Sequence, residues 1–261
     1  MTDQKPYLSA TQIDMFCRCG EAWRRRYVEG EVIPPGVAAI KGKGLHRAAE
    51  VNMRQKLESR KDLPVSEIRD LAIAEFETQL AGGVAFQADE SPVKAIGEAK
   101  DSLVDIATAH AEMQAPDYMP AVIEQTVRIE LPGKYDLLGI VDLIDDQQRV
   151  VDWKTAGRAK SERDAHESTQ LTVYAVSMQA LTGNLPSECR LDVLVAGKRE
   201  TKRQIVSTTR SQADVVVLAE KIQAVSAAIE AGVFLPAAPG SWSCSAEWCG
   251  YYSTCRFVRH R

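Results

Sequence analysis

Long apolar runs, a basic surplus and abundant cysteine are all missing from this 261-residue chain. No stretch approaches the length needed to span a bilayer, and the opening Met1-Thr2-Asp3-Gln4-Lys5-Pro6 carries no apolar signal segment. A cytoplasmic protein without membrane attachment is expected. Six cysteines are too few for a disulfide scaffold, and they are unevenly placed: Cys17 and Cys19, Cys189 alone, then Cys244, Cys249 and Cys255. Such clustering in a cytosolic chain suggests a metal or cluster site. Internal repeats and low-complexity linkers are absent too. The net charge of -4 argues mildly against nucleic acid as a partner, because phosphate binding draws on Lys and Arg. Distribution weakens that exclusion. Basic residues gather at Arg24-Arg25-Arg26, at Lys41, Lys43 and Arg47, and at Lys198-Arg199 with Lys202-Arg203, while a carboxylate active site would subtract from the sum.

What is present is ample core material, 45% hydrophobic residues, arranged with two periodicities. Ser9 and Gln12 have capping-box spacing, and Ile13, Phe16 and Ala22-Trp23 follow at helical intervals, predicting a helix to about Tyr27. The arginine triplet near its end suits either the helix dipole or a phosphate. After Pro34-Pro35-Gly36 a second helix, Val37 to Leu57, carries Gly42-Lys43-Gly44-Leu45-His46. The glycines there would let something approach the backbone, and His46 could ligate a metal, face a phosphate or be structural. Residues 65 to 115 read as scaffold helices. From Ala121 alternation predicts strands: about 121–131, Tyr135–Ile144, Arg149–Lys154, then a helix Arg163–Leu181 ended by Gly183, strands Leu191–Val195 and Arg203–Thr208, and a last helix Ser211–Ile229. An α/β fold is expected, with a helical N-terminal region (1–120), a core of mixed sheet and helices (121–210) and a helix with a cysteine-rich tail (211–261), forming one domain.

Chemistry concentrates between Gly139 and Tyr174. An acidic residue two before a lysine occurs four times, ending at Lys5, Lys100, Lys154 and Lys202. Only Asp152-Trp153-Lys154 ends an apolar strand with another acidic strand residue, Asp142, shortly before it. Residues two apart on a strand share a face, so Asp152 and Lys154 can share a site. Asp142 joins them if the turn pairs Asp145 with Arg149 around three loop residues, or if a bulge shifts the register. Opposed carboxylates repel, and a divalent cation between them removes the repulsion. Hard oxygen ligands suit Mg²⁺ or Mn²⁺, and Lys154 could position water or offset charge at a phosphate; its plainer alternative is a strand-end surface lysine. Gln170 and Tyr174, four apart, share a helix face.

Gly42-x-x-Leu45-His46, Gly139-Ile140-Val141-Asp142, Asp152-Trp153-Lys154-Thr155 and Gln170-x-x-x-Tyr174 resemble, in order and spacing, the motifs of RecB-like exonucleases in the PD-(D/E)XK superfamily. Ser9 to Tyr27 looks like that family's first helix. The resemblance implies a restriction-endonuclease-like core, with a mixed central sheet flanked by helices. It makes His46, Asp142 and Asp152 metal ligands, Lys154 the catalytic lysine, and Gln170 and Tyr174 active-site support. It further implies a Mg²⁺- or Mn²⁺-dependent DNA exonuclease of phage or bacterial recombination and repair, acting on DNA ends or single strands, in the cytoplasm of a bacterium or of a phage-infected host. A single-strand-annealing or recombination protein is the partner to expect; the oligomeric state is open. With no Walker lysine loop, a stand-alone nuclease is expected. The alternatives are a non-catalytic DNA-binding or assembly subunit and an endonuclease. Glu124, on the strand before Asp142, is a further candidate for the site.

The tail, Trp242 to Cys255, extends the resemblance. Relatives hold a 4Fe-4S cluster with one N-terminal and three C-terminal cysteines, which here would be Cys19, Cys244, Cys249 and Cys255. Four residues rather than two separate Cys244 from Cys249, and Cys17 competes with Cys19. Zn²⁺ on the same thiolates and reduced, metal-free cysteines are the other readings. Cys189 is expected in the core.

Overall fold

Ser9 opens the first helix as its spacing to Gln12 predicts, its Oγ accepting from the Gln12 N–H at 3.3 Å. The computed structural model describes residues 5–87, 90–197 and 200–258, so Lys198 and Arg199 of the expected basic hairpin tip lie outside the described residues. The helix expected to reach Tyr27 is in fact two, α1 (Ala10–Arg18) and α2 (Gly20–Tyr27). Cys19 separates them in an extended conformation, and its Sγ caps α2 by accepting from the Ala22 N–H at 3.4 Å. A side-chain acceptor at that position satisfies a donor that a continuous helix would have paired internally.

Contacts group the chain into two units. One comprises Pro35–Val127 and Gly139–Gln212; the other comprises Met1–Pro34, Arg128–Leu138 and Ala213–Arg261. In the first, helices α3 (Val37–Ser59), α4 (Val65–Ala81) and α5 (Pro92–Ala109) enclose Ile40, Leu45, Ile68, Phe76, Leu103 and Ile106, all fully buried. Gly44 is where α4 comes closest: a Cβ there would sit 2.8 Å from the Ala72 carbonyl oxygen. The space this glycine leaves is thus taken by a neighbouring helix and not by a ligand. Past α5 the chain makes a π-helical turn, His110–Gln114.

The sheet of this unit contains β2 (Pro120–Ile129) beside β3 (Asp136–Asp145), β4 (Arg149–Ala156) antiparallel to β3, β5 (Glu188–Ala196) parallel to β4, and β6 (Thr201–Thr208) antiparallel to β5. It is mixed because helices α6 (Glu162–His166) and α7 (Thr169–Thr182) carry the chain from β4 back to a parallel β5. A single helix was expected over 163–181. Ser168 breaks it, capping α7 through its Oγ on the Leu171 N–H at 3.1 Å. The carbonyls freed by the break are taken by Arg210, which donates to those of Ala165, His166 and Ser168. One sheet face packs Ile144, Val150 and Cys189 against Leu171, Tyr174 and Met178 of α7; the other packs Leu143, Val151 and Trp153 with Ala49 and Met53 of α3. Helices therefore cover the sheet and leave the strand ends to hold polar groups.

The second unit pairs β1 (Tyr7–Ser9) in parallel with Asp136–Leu138 and includes the long α8 (Gln212–Glu230). Phe16, Trp23 and Phe234 meet at centroid separations of 5.7 to 6.2 Å. Two of the three clustered arginines are committed inside the protein. Arg24 forks onto Glu21 at 2.8 Å, and Arg25 holds Glu31, Thr254 and the Tyr251 carbonyl and so fastens the tail. Beyond α8 the tail is turns and one 3-10 turn, Tyr252–Thr254.

Candidate active site and cysteine pocket

The turn between β3 and β4 decides the register of the acidic strands. Asp145 Oδ1 accepts from the Gln147 and Arg149 N–H groups at 3.0 and 2.9 Å, and Gln148 adopts φ +60°, the left-handed residue that closes a three-residue hairpin loop. Leu143 then pairs with Val151 and Ile144 with Val150, and just beyond these pairs the Asp142 and Asp152 carboxyls come close enough to act on one another. Strict alternation lapses just before the ladder. Val141 and Ile144 lie in one core while Leu143 lies in the other, and Asp142 reaches Tyr174 in the first. Gly139 permits this approach, since a Cβ there would clash with Ser177 Oγ at 2.3 Å on α7.

A run of hydrogen bonds ties the motif residues together. Lys154 Nζ donates to Gln170 Oε1 at 2.9 Å, Gln170 Nε2 donates to Tyr174 Oη at 2.8 Å, and Tyr174 Oη donates to Asp142 Oδ1 at 2.6 Å. Lys154 Nζ also lies 2.8 Å from Asp152 Oδ1. With the Asp142 and Asp152 carboxyls in contact, the five side chains form a ring. The helical spacing of Gln170 and Tyr174 is what lets one reach the lysine and the other the aspartate.

His46, on α3, brings its Nδ1 to 3.5 Å from Asp142 Oδ2. Glu124 joins from β2. One ligand atom each of His46, Glu124 and Asp142 can be chosen so that all lie within 4.8 Å of one another, a spacing a cation could bridge. Glu124 holds φ +44°, costly for a residue with a Cβ, so its carboxylate is aimed there by a strained backbone. Asp142 Oδ2 and Asp152 Oδ2 are buried without a hydrogen-bond partner among the described residues. The orphaned Asp142 oxygen, the Glu124 carboxylate and the His46 imidazole form a donor set that fits a divalent cation, while Asp152 adjoins this group without being part of it.

Electrostatics agree with that fit. Burial pushes the Asp152 carboxyl up to about 7, with Asp142 adding to the rise and Lys154 opposing it. Burial also raises Asp142, against the pull of the Tyr174 hydroxyl and Lys154. Glu124 is pushed up to about 7, first by burial and then by Asp142. Burial opposes the charge on Lys154, but Asp152 and Asp142 more than offset it and raise its pKa. His46 is lowered by burial and then by Lys154, which keeps its imidazole in the neutral form that binds metals. Burial and mutual repulsion thus hold these carboxyls above their usual range in spite of the Lys154 ammonium.

The four tail-type cysteines converge in the other unit. Cys19, Cys244, Cys249 and Cys255 line one cavity of about 560 Å³ with Trp242 and Trp248, whereas Cys17 is exposed and outside it. Burial raises Cys244 and Cys249, and the neighbouring thiolates, Cys19 and Cys255 among them, raise each further. Cys189 is fully buried in the sheet core.

The sequence profile of the PD-(D/E)XK nuclease superfamily matches residues 7–256. The chain belongs to that superfamily. Among solved structures, a provisionally named exonuclease from Eubacterium rectale is similar over 98% of this chain and 90% of its own, with a TM-score of 0.61 at 14% identity, a likeness of fold alone. A second, SSO0001, aligns over 86% of this chain and 79% of its own at 16% identity, but its TM-score of 0.36 carries no inference. No curated protein matches the chain. PD-(D/E)XK nucleases use Mg²⁺ or Mn²⁺, and membership implies DNA as substrate.

One supporting layer of this PD-(D/E)XK site left no mark in the sequence. Trp153, between the motif residues Asp152 and Lys154, is buried against His110 and Tyr118. Behind it Asp192 accepts from Gln114 Nε2 at 2.9 Å, Tyr118 Oη at 2.7 Å and Arg203 Nη2 at 2.7 Å. The contributors come from the π-helical turn, the residue after a 3-10 turn at Ala115–Asp117, and two strands, so no spacing along the chain could reveal them.

Proposed function

We propose that this chain is a RecB-like, divalent-metal-dependent DNA exonuclease, acting from ends or on single strands in phage or bacterial recombination and repair. The observation that carries the proposal is the ring joining Lys154, Gln170, Tyr174, Asp142 and Asp152, with His46 and Glu124 alongside. Asp142, Asp152, His46 and Glu124 are the residues that would hold the ion. When bound, Mg²⁺ or Mn²⁺ supplies Lewis-acid polarisation of the phosphate and a lower pKa for a water molecule. Lys154, fixed between Asp152 and Gln170, offers a stationary ammonium to the negative charge that grows on the phosphate. Tyr174 keeps one oxygen of Asp142 occupied and so turns the other, Oδ2, towards His46 and Glu124.

For the cysteine cavity we favour a 4Fe-4S cluster on Cys19, Cys244, Cys249 and Cys255, with zinc as the second reading. What supports the reading is the resemblance together with the single cavity that these four cysteines line. Brown colour and absorbance near roughly 400 nm in an anaerobic preparation, against stoichiometric zinc on metal analysis, separates the two.

The nuclease proposal is tested with end-labelled linear DNA and closed circular DNA, with Mg²⁺ or Mn²⁺ and with EDTA. Metal-dependent loss of the linear substrate alone is expected. Cutting of the circle would indicate an endonuclease, and binding without hydrolysis would indicate a non-catalytic subunit.

A further inference from the structure

Lys41 lies on α3, in the unit that holds the acidic strands, and like Lys43 it is hydrogen-bonded to an uncharged side chain. Its Nζ donates to Ser102 Oγ at 3.0 Å, and no carboxylate pairs with it among the described residues, whereas Arg47, Lys202 and Arg203 are each held by an acid. It is half-buried at the edge of a cavity of about 360 Å³. Ser102 of α5, Thr155 in β4 and Gly157 just past it, and Gly197 beyond β5 line it together with three alanines, and the lining contains no acidic side chain. Burial lowers the pKa of Lys41 with nothing offsetting it, the condition of a cation awaiting a counter-charge.

The cavity adjoins the proposed active site along two chain paths. Thr155 directly follows Lys154, and Lys41 precedes His46 on α3 by five residues, about 7.5 Å along the helix axis. Thr155 Oγ1 lies 3.9 Å from the place a Cβ on Gly42 would occupy, so α3 and the strand end are in contact at this point. A lone cation, two hydroxyls and open backbone at glycines are the groups that receive a phosphate. The volume is that of a small-ligand site and admits a phosphate with its attached sugar.

We propose that the Lys41–Ser102–Thr155 cavity is a phosphate subsite for the substrate strand, holding a phosphate next to the bond that is cut. The assignment rests on the nuclease reading for its substrate but makes a separate demand on binding. Lys41 grips the phosphate as a point charge, Ser102 and Thr155 donate their hydroxyl protons to its oxygens, and Gly157 leaves room for the strand to approach.

Binding is measured in EDTA, so that nothing is hydrolysed, with three fluorescent oligonucleotides of one sequence bearing a 5′-phosphate, a 3′-phosphate or hydroxyls at both ends. Lys41→Ala is expected to weaken binding on the order of tenfold and to reduce the salt slope of log K by about one; Ser102→Ala weakens it less, and Lys41→Arg retains most of it. A loss confined to one phosphorylated end identifies a terminal phosphate as the ligand, and an equal loss on all three identifies an internal phosphodiester. Melting of each variant checks the fold, and Ser102→Ala serves if Lys41→Ala unfolds. Wild-type binding of all three by both variants, or no binding by the wild-type protein, overturns the subsite. Lys41-dependent binding with no cleavage in Mg²⁺ or Mn²⁺ would instead overturn the nuclease reading and leave the subsite standing.

Discussion

The carboxylate centre and the cysteine cavity are both candidate metal sites, and they are built in opposite ways. Asp142, Asp152, Lys154, Gln170 and Tyr174 stand on regular strands and a helix, and hydrogen bonds of 2.6 to 2.9 Å link Lys154, Gln170, Tyr174 and Asp142. Three of the four cavity cysteines stand in turns, and the fourth, Cys19, sits at a break between two helices. A strand-and-helix scaffold fixes side chains before any ligand arrives, which suits chemistry that tolerates little displacement. A tail of turns has little secondary structure of its own to order it, so there a bound group would contribute folding free energy directly. Ligand loss should therefore leave the first site's fold intact and cost it activity, and do the reverse at the second.

Ways to break that contrast run from large effects to small. Asp152→Asn should lower hydrolysis by roughly 10²- to 10³-fold with little change in melting, read by steady-state cleavage and a thermal scan. Tyr174→Phe removes the hydroxyl between Gln170 and Asp142 and should cost about 10- to 100-fold in metal affinity or activity, read from the metal dependence of the rate. Cys255→Ser should abolish the cluster absorbance and lower the melting midpoint by roughly 5 °C or more, while Cys17→Ser changes neither.

A subtler test uses pH. Glu124 and Asp152, at about 7 in the folded chain, ionise near about 4 when unfolded. The folded state thus binds these protons more tightly. Their contribution to stability is fully present below about pH 4 and is lost as pH rises through about 7. In EDTA the melting midpoint should fall across that window, and Glu124→Gln should flatten the slope; a slope unchanged by Glu124→Gln would remove Glu124 from the site. The smallest effect concerns Arg25. It is committed to Glu31 and the tail, so Arg25→Ala should leave the salt dependence of DNA binding unchanged and cost roughly 0–1 kcal/mol of stability, measured by denaturant melts.

The parts legible in the sequence are those governed by short-range rules. The order of strands and helices from residue 121 onward followed from periodicity, and the register of Leu143 on Val151 and Ile144 on Val150 followed from the turn at Asp145 and Arg149, while the short strand Tyr7–Ser9 was not foreseen. Breaks inside helical patterns were not legible. At Cys19 and at Ser168 a side-chain cap competes with helix continuation, and the outcome depends on distant partners such as Arg210. Glu124 could be named as a candidate, but its left-handed backbone is set by tertiary packing that local propensity does not report. The support behind Trp153 brings Gln114 and Tyr118 to Asp192 from 78 and 74 residues away and Arg203 from 11, beyond the reach of any motif. At Gly44 a close approach to the backbone was legible but its identity was not, since what comes near is helix α4.

The central claim is that the ring around Lys154 is the hydrolytic centre of a nuclease. Strand-specifically end-labelled linear DNA, incubated with Mn²⁺ or Mg²⁺ and either the wild-type chain or Lys154→Ala, tests it most directly. Progressive, metal-dependent release of label by the wild-type protein, lowered at least about 10²-fold by Lys154→Ala with melting unchanged, is the predicted result. No metal-dependent release, or equal release by both proteins, would contradict it.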